Sequence, residues 1–324
     1  MDAWWAFGWE WIPALQSLGS AWIEFMRVVS ILGTEPFYML VLPAVLWCYD
    51  VALGLRVGFI LLGSAWLTAG LKWMIGLPRP YWVSPEVQAL SAEASYGFPS
   101  GHAQTPLAVY GRIAAHVRRR WVTLATAVIL LLIGISRLTL GVHFASNVLT
   151  GWLVGGLLLI AFLRWERPVA AWFSRRPLGT RLLVVVGITL VMIVVSWLQV
   201  TAALGRTLPQ DWAANAIRAP NAEPFEPRDF REALDAAATL LGFGLGAVLL
   251  VEQGGFDARG GGSKRLGRFA LGLVGVLALY FGLRAVFPGS ETALGLGFRF
   301  VRYALVGFWV SYGAPWFFAR AKLV

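Results

Sequence analysis

Hydrophobic residues fall along this chain in long runs, not in strand-like alternation. Nine runs stand out, at about 21–48, 52–76, 103–117, 121–135, 144–163, 182–204, 234–251, 269–287 and 298–319, and the charged residues cluster between them. An α-helix needs roughly 20 apolar residues to cross a hydrocarbon core of about 30 Å. The pattern therefore predicts an all-α polytopic membrane protein with about nine transmembrane helices. The first run contains Gly33-Thr34-Glu35-Pro36. A proline there removes a backbone donor, so a kink or a fresh helix start is expected.

Composition supports that reading, since 58% of residues are hydrophobic and 14% charged, against about 25% charged in soluble globules. Trp4, Trp5, Trp9 and Trp11 suit an interfacial N-terminal segment over residues 1–20, where amphipathic rings sit at headgroup level. That segment has no basic n-region or small-residue cleavage site, so no signal peptide is read. Cys48 is the single cysteine, which excludes an intramolecular disulfide and a thiolate metal cage. No internal repeat is evident. The chain reads as one membrane domain over 1–324, with a motif-bearing core at 52–164 and C-terminal helices at 182–319.

The net charge is +10, but no basic block exceeds Arg118-Arg119-Arg120 and no aromatic stacking platform accompanies it, so nucleic acid is not an expected partner. Topology accounts for the charge. If all nine runs cross, more than half of the 27 lysines and arginines lie on one side, around Arg56, 118–120, 164–181, 259–268 and 320–322. The positive-inside rule makes that side, with the C-terminus, cytoplasmic. The N-terminus then faces periplasm or lumen. Arginine outnumbers lysine 24 to 3, which suggests a GC-rich bacterial genome and hence a bacterial inner membrane.

The same outer face collects the residues that carry chemistry. Phe98-Pro99-Ser100-Gly101-His102 opens one run, Lys72 to Pro80 closes another, and Ser136 to Asn147 links two more. Pro-Ser-Gly at a helix mouth exposes backbone N–H groups, and a helix N-terminus favours an anion. Lys72, Arg79 and Arg137 supply positive charge for three phosphoryl oxygens, and Ser100 and the amides around Gly101 add hydrogen bonds. Of the three histidines, His102 and His143 lie on this face and His116 beside the inner arginines. Two imidazoles near a phosphate divide the labour: one attacks phosphorus and one protonates the leaving oxygen. No carboxylate cluster accompanies them, so neither metal nor cofactor is expected. The competing reading makes the three cations interfacial anchors that snorkel to headgroups.

Two outer loops flank these motifs. Residues 81–96 join the first two. Residues 205–231, punctuated by Pro209, Pro220, Pro224 and Pro227, form either a lid or a passive connection. Trp82, Glu86, Glu93, Tyr96, Asp211, Trp212 and Asn215 in these loops suit a polar headgroup. On the inner side, 254–263 reads as a flexible glycine-rich linker. Its glycines lack the spacing of a phosphate-cradling Walker loop.

Lys72-x6-Arg79-Pro80, Pro99-Ser100-Gly101-His102 and Ser136-Arg137-x5-His143 together resemble the three motifs of the type 2 phosphatidic acid phosphatase superfamily, which includes lipid phosphate phosphatases, glucose-6-phosphatases and vanadium haloperoxidases. The resemblance implies a helical-bundle core formed by the second to sixth spans. It implies His143 as nucleophile through a phosphohistidine, His102 as general acid, and Lys72, Arg79, Ser100, Gly101 and Arg137 as phosphate ligands. The pattern departs at Asn147, where most members carry aspartate. An amide there can orient His143 but cannot stabilise an imidazolium as a carboxylate does. The glucose-6-phosphatase branch is similar in carrying an amide, glutamine, in that slot, and Arg79-Pro80-Tyr81-Trp82 and Leu240-Leu241-Gly242-Phe243-Gly244-Leu245 also resemble it.

The leading expectation is an extracytoplasmic membrane phosphomonoesterase whose partners are membrane lipids and a lipid phosphate or sugar phosphate substrate. A phosphotransferase with the same intermediate, and a binder or transporter of phosphorylated headgroups, remain as alternatives. Oligomeric state has no signal in the sequence.

Overall fold

The computed structural model describes residues 3–219, 225–289 and 292–324. A 3₁₀ turn (Trp4–Ala6) leads into α1 (Trp11–Gln16), α2 (Ser20–Ile31), α3 (Glu35–Cys48), α4 (Val51–Ile75) and α5 (Pro80–Val83). Then come α6 (Gly101–Val117), α7 (Arg120–Thr139), α8 (Ala145–Ser174), α9 (Leu178–Leu204) and α10 (Gln210–Ala216). The chain closes with α11 (Arg231–Glu252), α12 (Gly262–Leu277), α13 (Leu283–Val286), α14 (Ala293–Phe308) and α15 (Ala314–Arg320). π-helical segments Ala278–Gly282 and Trp309–Gly313 join α12 to α13 and α14 to α15. Among the described residues there is no strand.

Among the described residues, seven stretches are helical, long and apolar enough to cross a membrane, and the broken pair α2 and α3 makes an eighth. The chain is an integral membrane protein. The break falls at 32–34, where Thr34 Oγ1 donates to the Ile31 carbonyl at 2.7 Å and Glu35 and Pro36 start the next helix. The expected count of nine is not confirmed, since the remaining expected span, α6, falls below these by length. That helix has 17 residues, a length of ~25 Å. Gln104, Thr105 and Arg112, all buried, replace apolar positions that a lipid-facing helix would carry.

The chain divides into two compact units and passes from one to the other within α3, α4, α8 and α9 and at the start of α11. The first comprises 1–37, 67–161 and 196–230, and it holds every motif residue. Here α7 follows α6 after two residues and packs along it. Both come close to α8 through glycine: a Cβ at Gly151 would lie 2.6 Å from the Ser100 carbonyl, and one at Gly134 would lie 2.5 Å from the Trp152 ring. The N-terminal segment packs on the motif loops, with Trp4 edge-on to Phe98 at 5.8 Å and Trp5 on Phe144 at 5.5 Å. Ser146 Oγ donates to the Trp5 carbonyl at 2.5 Å.

The second unit comprises 38–66, 162–195 and 231–324. Its core gathers Trp47, Leu240, Phe243, Val276, Val310 and Phe318. α11 and α14 lie so close that a Cβ on Gly242 would run into the Ala304 carbonyl and one on Gly307 into the Thr239 carbonyl. Trp47 Nε1 donates to the Val310 carbonyl at 2.9 Å, which avoids the cost of an unpaired buried donor. The glycine-rich stretch at 254–263 is not the loose linker its composition suggests. Buried Arg268 donates to the Asp257, Ala258 and Arg259 carbonyls at 2.7, 2.7 and 3.1 Å and fastens it.

Candidate functional site

The three motifs meet at one end of the helices of the first unit. The Ser136–His143 spacing has a local cause. α7 ends at Thr139, Gly141 takes a left-handed φ of +72° that suits a residue without Cβ, and the chain doubles back. The Arg137 carbonyl then accepts from the Val142 and His143 amides at 3.2 and 3.3 Å. One turn thus sets the guanidinium and the imidazole of one motif together.

Arg79, at the mouth of α5, is fully buried. Its Nε donates to the Ser95 carbonyl at 2.6 Å, and Nη1 to the Val142 carbonyl at 3.1 Å; Nη1 also stands 3.3 Å from His143 Nε2. Nη2 donates to the Tyr96 carbonyl at 3.2 Å. Lys72 Nζ, one turn from the end of α4, donates to Ser95 Oγ at 2.7 Å. Arg137 donates through Nη1 to Ser30 Oγ at 2.6 Å and through Nη2 to Glu93.

Ser100 caps the start of α6 with extended backbone, and its amide donates to the Asn147 carbonyl at 3.0 Å. Its hydroxyl makes no cap bond. Ser100 Oγ and Arg137 Nε are both buried without a hydrogen-bond partner among the described residues. Gly101 starts α6 beside Thr68, whose methyl would lie 3.2 Å from a Cβ there. His102 follows on the first turn, partly exposed.

His143 is 1% exposed. Burial first, then the Arg79 and Arg137 guanidiniums, hold its imidazole well below the ordinary value, with Glu93 opposing. Asn147 Nδ2 donates to the Gly97 carbonyl at 2.9 Å and stands 3.4 Å from His143 Nδ1, while Oδ1 lies 3.1 Å from Ser146 Oγ. Gly97 is wedged: a Cβ would lie 2.6 Å from the Pro78 carbonyl and 3.1 Å from Asn147 Nδ2.

The structure brings Lys72, Arg79, Arg137, Ser100, His143 and Asn147 into one bonded network, with Gly101 and His102 on its α6 rim. Sequence reasoning placed Glu93 among residues for a headgroup. Its carboxylate instead pairs with both Arg79, at 3.5 Å, and Arg137. Burial works against its charge, but Arg79 and Arg137, with His102 and Lys72 beyond, hold its carboxyl well below the ordinary value. Ser95 was not anticipated either, and nothing in its sequence context marks it. Among the described residues no three His, Cys, Asp or Glu side chains gather as metal ligands would.

Residues 212–215 and 225–228 pack on segment 82–96. Trp82 meets Trp212 at 6.1 Å and Phe225 at 4.9 Å, Asn215 Nδ2 donates to the Trp82 carbonyl at 3.0 Å, and Arg228 Nε to the Tyr96 hydroxyl at 3.1 Å. Pro220 and Pro224 of loop 205–231 lie outside the described residues.

Comparison with known proteins matches residues 53–170 to the PAP2 superfamily and residues 234–324 to the PAP2 superfamily phosphatase transmembrane extension. Phosphatidylglycerophosphatase B of Bacillus subtilis is 39% identical over 25% of this chain and 43% of its own. Human glucose-6-phosphatase 3 is 29% identical over 43% of this chain and 47% of its own, and mouse sphingosine-1-phosphate phosphatase 1 is 32% identical over 40% and 32%. The chain thus spans less than half the length of these curated relatives. The crystal structure of a transmembrane PAP2-type phosphatidylglycerolphosphate phosphatase from Bacillus subtilis aligns over 49% of this chain and 83% of its own, at 27% identity and a TM-score of 0.42.

Proposed function

We propose, for a chain that belongs to the PAP2 superfamily, that the site on α4 to α8 hydrolyses phosphomonoesters through a phosphohistidine on His143. One observation carries the reading: two buried donors, Ser100 Oγ and Arg137 Nε, lack hydrogen-bond partners among the described residues in a network that also holds Arg79, Lys72 and a buried imidazole. An unpaired buried donor costs about 1–3 kcal/mol. Phosphoryl oxygens would satisfy both.

His143 Nε2 attacks phosphorus with its lone pair as the bond from phosphorus to the leaving oxygen breaks. His102 gives that oxygen its proton. A water then attacks the phosphohistidine, His102 takes the water's proton, and inorganic phosphate leaves with His143 restored. Arg79 and Arg137 balance the equatorial oxygens, with Lys72, Ser100 and the Gly101 amide beside them. Burial keeps His143 neutral and thus nucleophilic. Asn147 holds the imidazole from behind, and the cations supply the charge that other phosphotransferases take from a metal.

The substrate class is a lipid phosphate or a sugar phosphate, which the relatives' names support equally. The site faces away from the cytoplasm of a bacterial inner membrane, as the positive-inside distribution supports. The test is phosphate release by the purified protein from glucose 6-phosphate, phosphatidate and a polyprenyl pyrophosphate, with His143→Ala as control. Release by wild type alone supports the reading. Equal release by both proteins, or none from any compound, contradicts it.

A further inference from the structure

The two guanidiniums assigned to the phosphate already share an anion. Glu93 pairs with Arg137 through Oε1 and with Arg79 through Oε2 at 3.5 Å. Its loop neighbours engage the same cations: Ser95 Oγ accepts from Lys72, the Ser95 carbonyl from Arg79 Nε, and the Tyr96 carbonyl from Arg79 Nη2. Segment 93–96 therefore offers the cation set a carboxylate, a hydroxyl and two carbonyls, the acceptor chemistry of a phosphoryl group. A phosphate dianion bridging the same two guanidinium forks would lie within a few ångströms of that carboxylate. In surroundings of effective dielectric constant ~20, such like charges repel strongly, so one must yield.

Glu93 is placed to yield. Its side chain is 22% exposed, where the Arg79 and Arg137 side chains are 0% and 3%. Its backbone is pinned: the Glu93 amide donates to the Tyr81 hydroxyl at 3.2 Å, and that hydroxyl donates to the Glu93 carbonyl at 3.0 Å. The exchange is a rotation of one side chain about a fixed backbone.

We propose that Glu93 is an internal competing anion, which holds Arg79 and Arg137 until a phosphoryl group displaces it and so sets the affinity of the site for phosphate and phosphomonoesters. This rests on the reading of the site as a phosphate site. The test is titration of purified wild type and Glu93→Gln with inorganic phosphate by calorimetry. Glutamine keeps the volume and removes the charge, so phosphate binds the variant about tenfold more tightly or better, a shift of about 1.4 kcal/mol, and KM for a phosphomonoester falls in parallel. Glu93→Asp, too short to reach both guanidiniums, tightens binding by a smaller factor and serves if the glutamine variant does not fold. Phosphate binding to wild type that either folded variant leaves unchanged or weakens overturns the competing-anion role alone. A wild type that binds no phosphate overturns the site reading with it.

Discussion

Asn147→Asp probes the one position where the site departs from the carboxylate usual behind such a histidine. A neutral imidazole has one N–H and one acceptor nitrogen. For Nε2 to attack, the proton must sit on Nδ1, yet Nδ1 faces the Asn147 amide nitrogen at 3.4 Å, and Nε2 faces Arg79 Nη1 at 3.3 Å. Both ring nitrogens look at donors. Rotating the amide would offer Oδ1 to Nδ1 but would set it against the Gly97 carbonyl, which now accepts from Nδ2 at 2.9 Å. The Gly97 bond therefore holds the amide in the orientation that favours the unreactive tautomer. Aspartate reverses this, accepting from Nδ1 and stabilising the imidazolium. A hydrogen bond to a charged group contributes about 1.5–3 kcal/mol, which converts to a rise in kcat of roughly ten- to a hundredfold. The variant also turns a carboxylate on the Gly97 carbonyl, at a cost of about 1–3 kcal/mol of stability. Steady-state phosphate release at saturating substrate, with thermal unfolding alongside, reads both. A folded Asn147→Asp protein with unchanged or lower kcat would refute the tautomer argument.

Three further outcomes follow from the same geometry. Because the folded His143 pKa lies below its ordinary 6.5, the nucleophile stays neutral as pH falls past that value, so the acid limb of kcat/KM attributable to it lies below 6.5. The unfolded chain binds that proton first, so this residue's contribution to stability is lost as pH falls through the window below 6.5; unfolding followed from pH 8 to 5 checks the sign. Arg137→Lys removes the fork that reaches Ser30 and Glu93 together and should lower kcat/KM about a hundredfold, measured with any phosphomonoester that wild type cleaves. In the second unit, a Cβ at Gly246 would strike Ser311 Oγ and lie 3.0 Å from Tyr312 Cβ, so Gly246→Leu should cost about 1–3 kcal/mol or more, seen as a lower unfolding midpoint.

The helical class, the break before Pro36 and the meeting of the three motifs were legible because each has a local cause: long apolar runs, a missing backbone donor, and cationic or imidazole side chains at helix ends. Gly242 of the Leu240–Leu245 stretch was legible as a resemblance, and packing explains it, since α14 leaves no room for a side chain there. The span count was less legible. α6 is short and carries buried Gln104, Thr105 and Arg112, which hydropathy alone does not resolve. The fastening of 254–263 by Arg268 was hidden because a glycine-rich composition says nothing of a distant guanidinium. Glu93 and Ser95 were hidden for a related reason. They lie in a loop of ordinary composition, and only tertiary contact brings them to Lys72, Arg79 and Arg137.

The central claim is that His143 carries the phosphoryl group. The direct measurement is to quench the purified protein during turnover of a phosphomonoester labelled on phosphorus, then assay the denatured chain for acid-labile, base-stable label and map it. The account predicts label on the peptide containing His143, absent from His143→Ala and more persistent in His102→Ala under the same quench. Turnover by wild type with no labelled histidine, or label that survives His143→Ala, would contradict it.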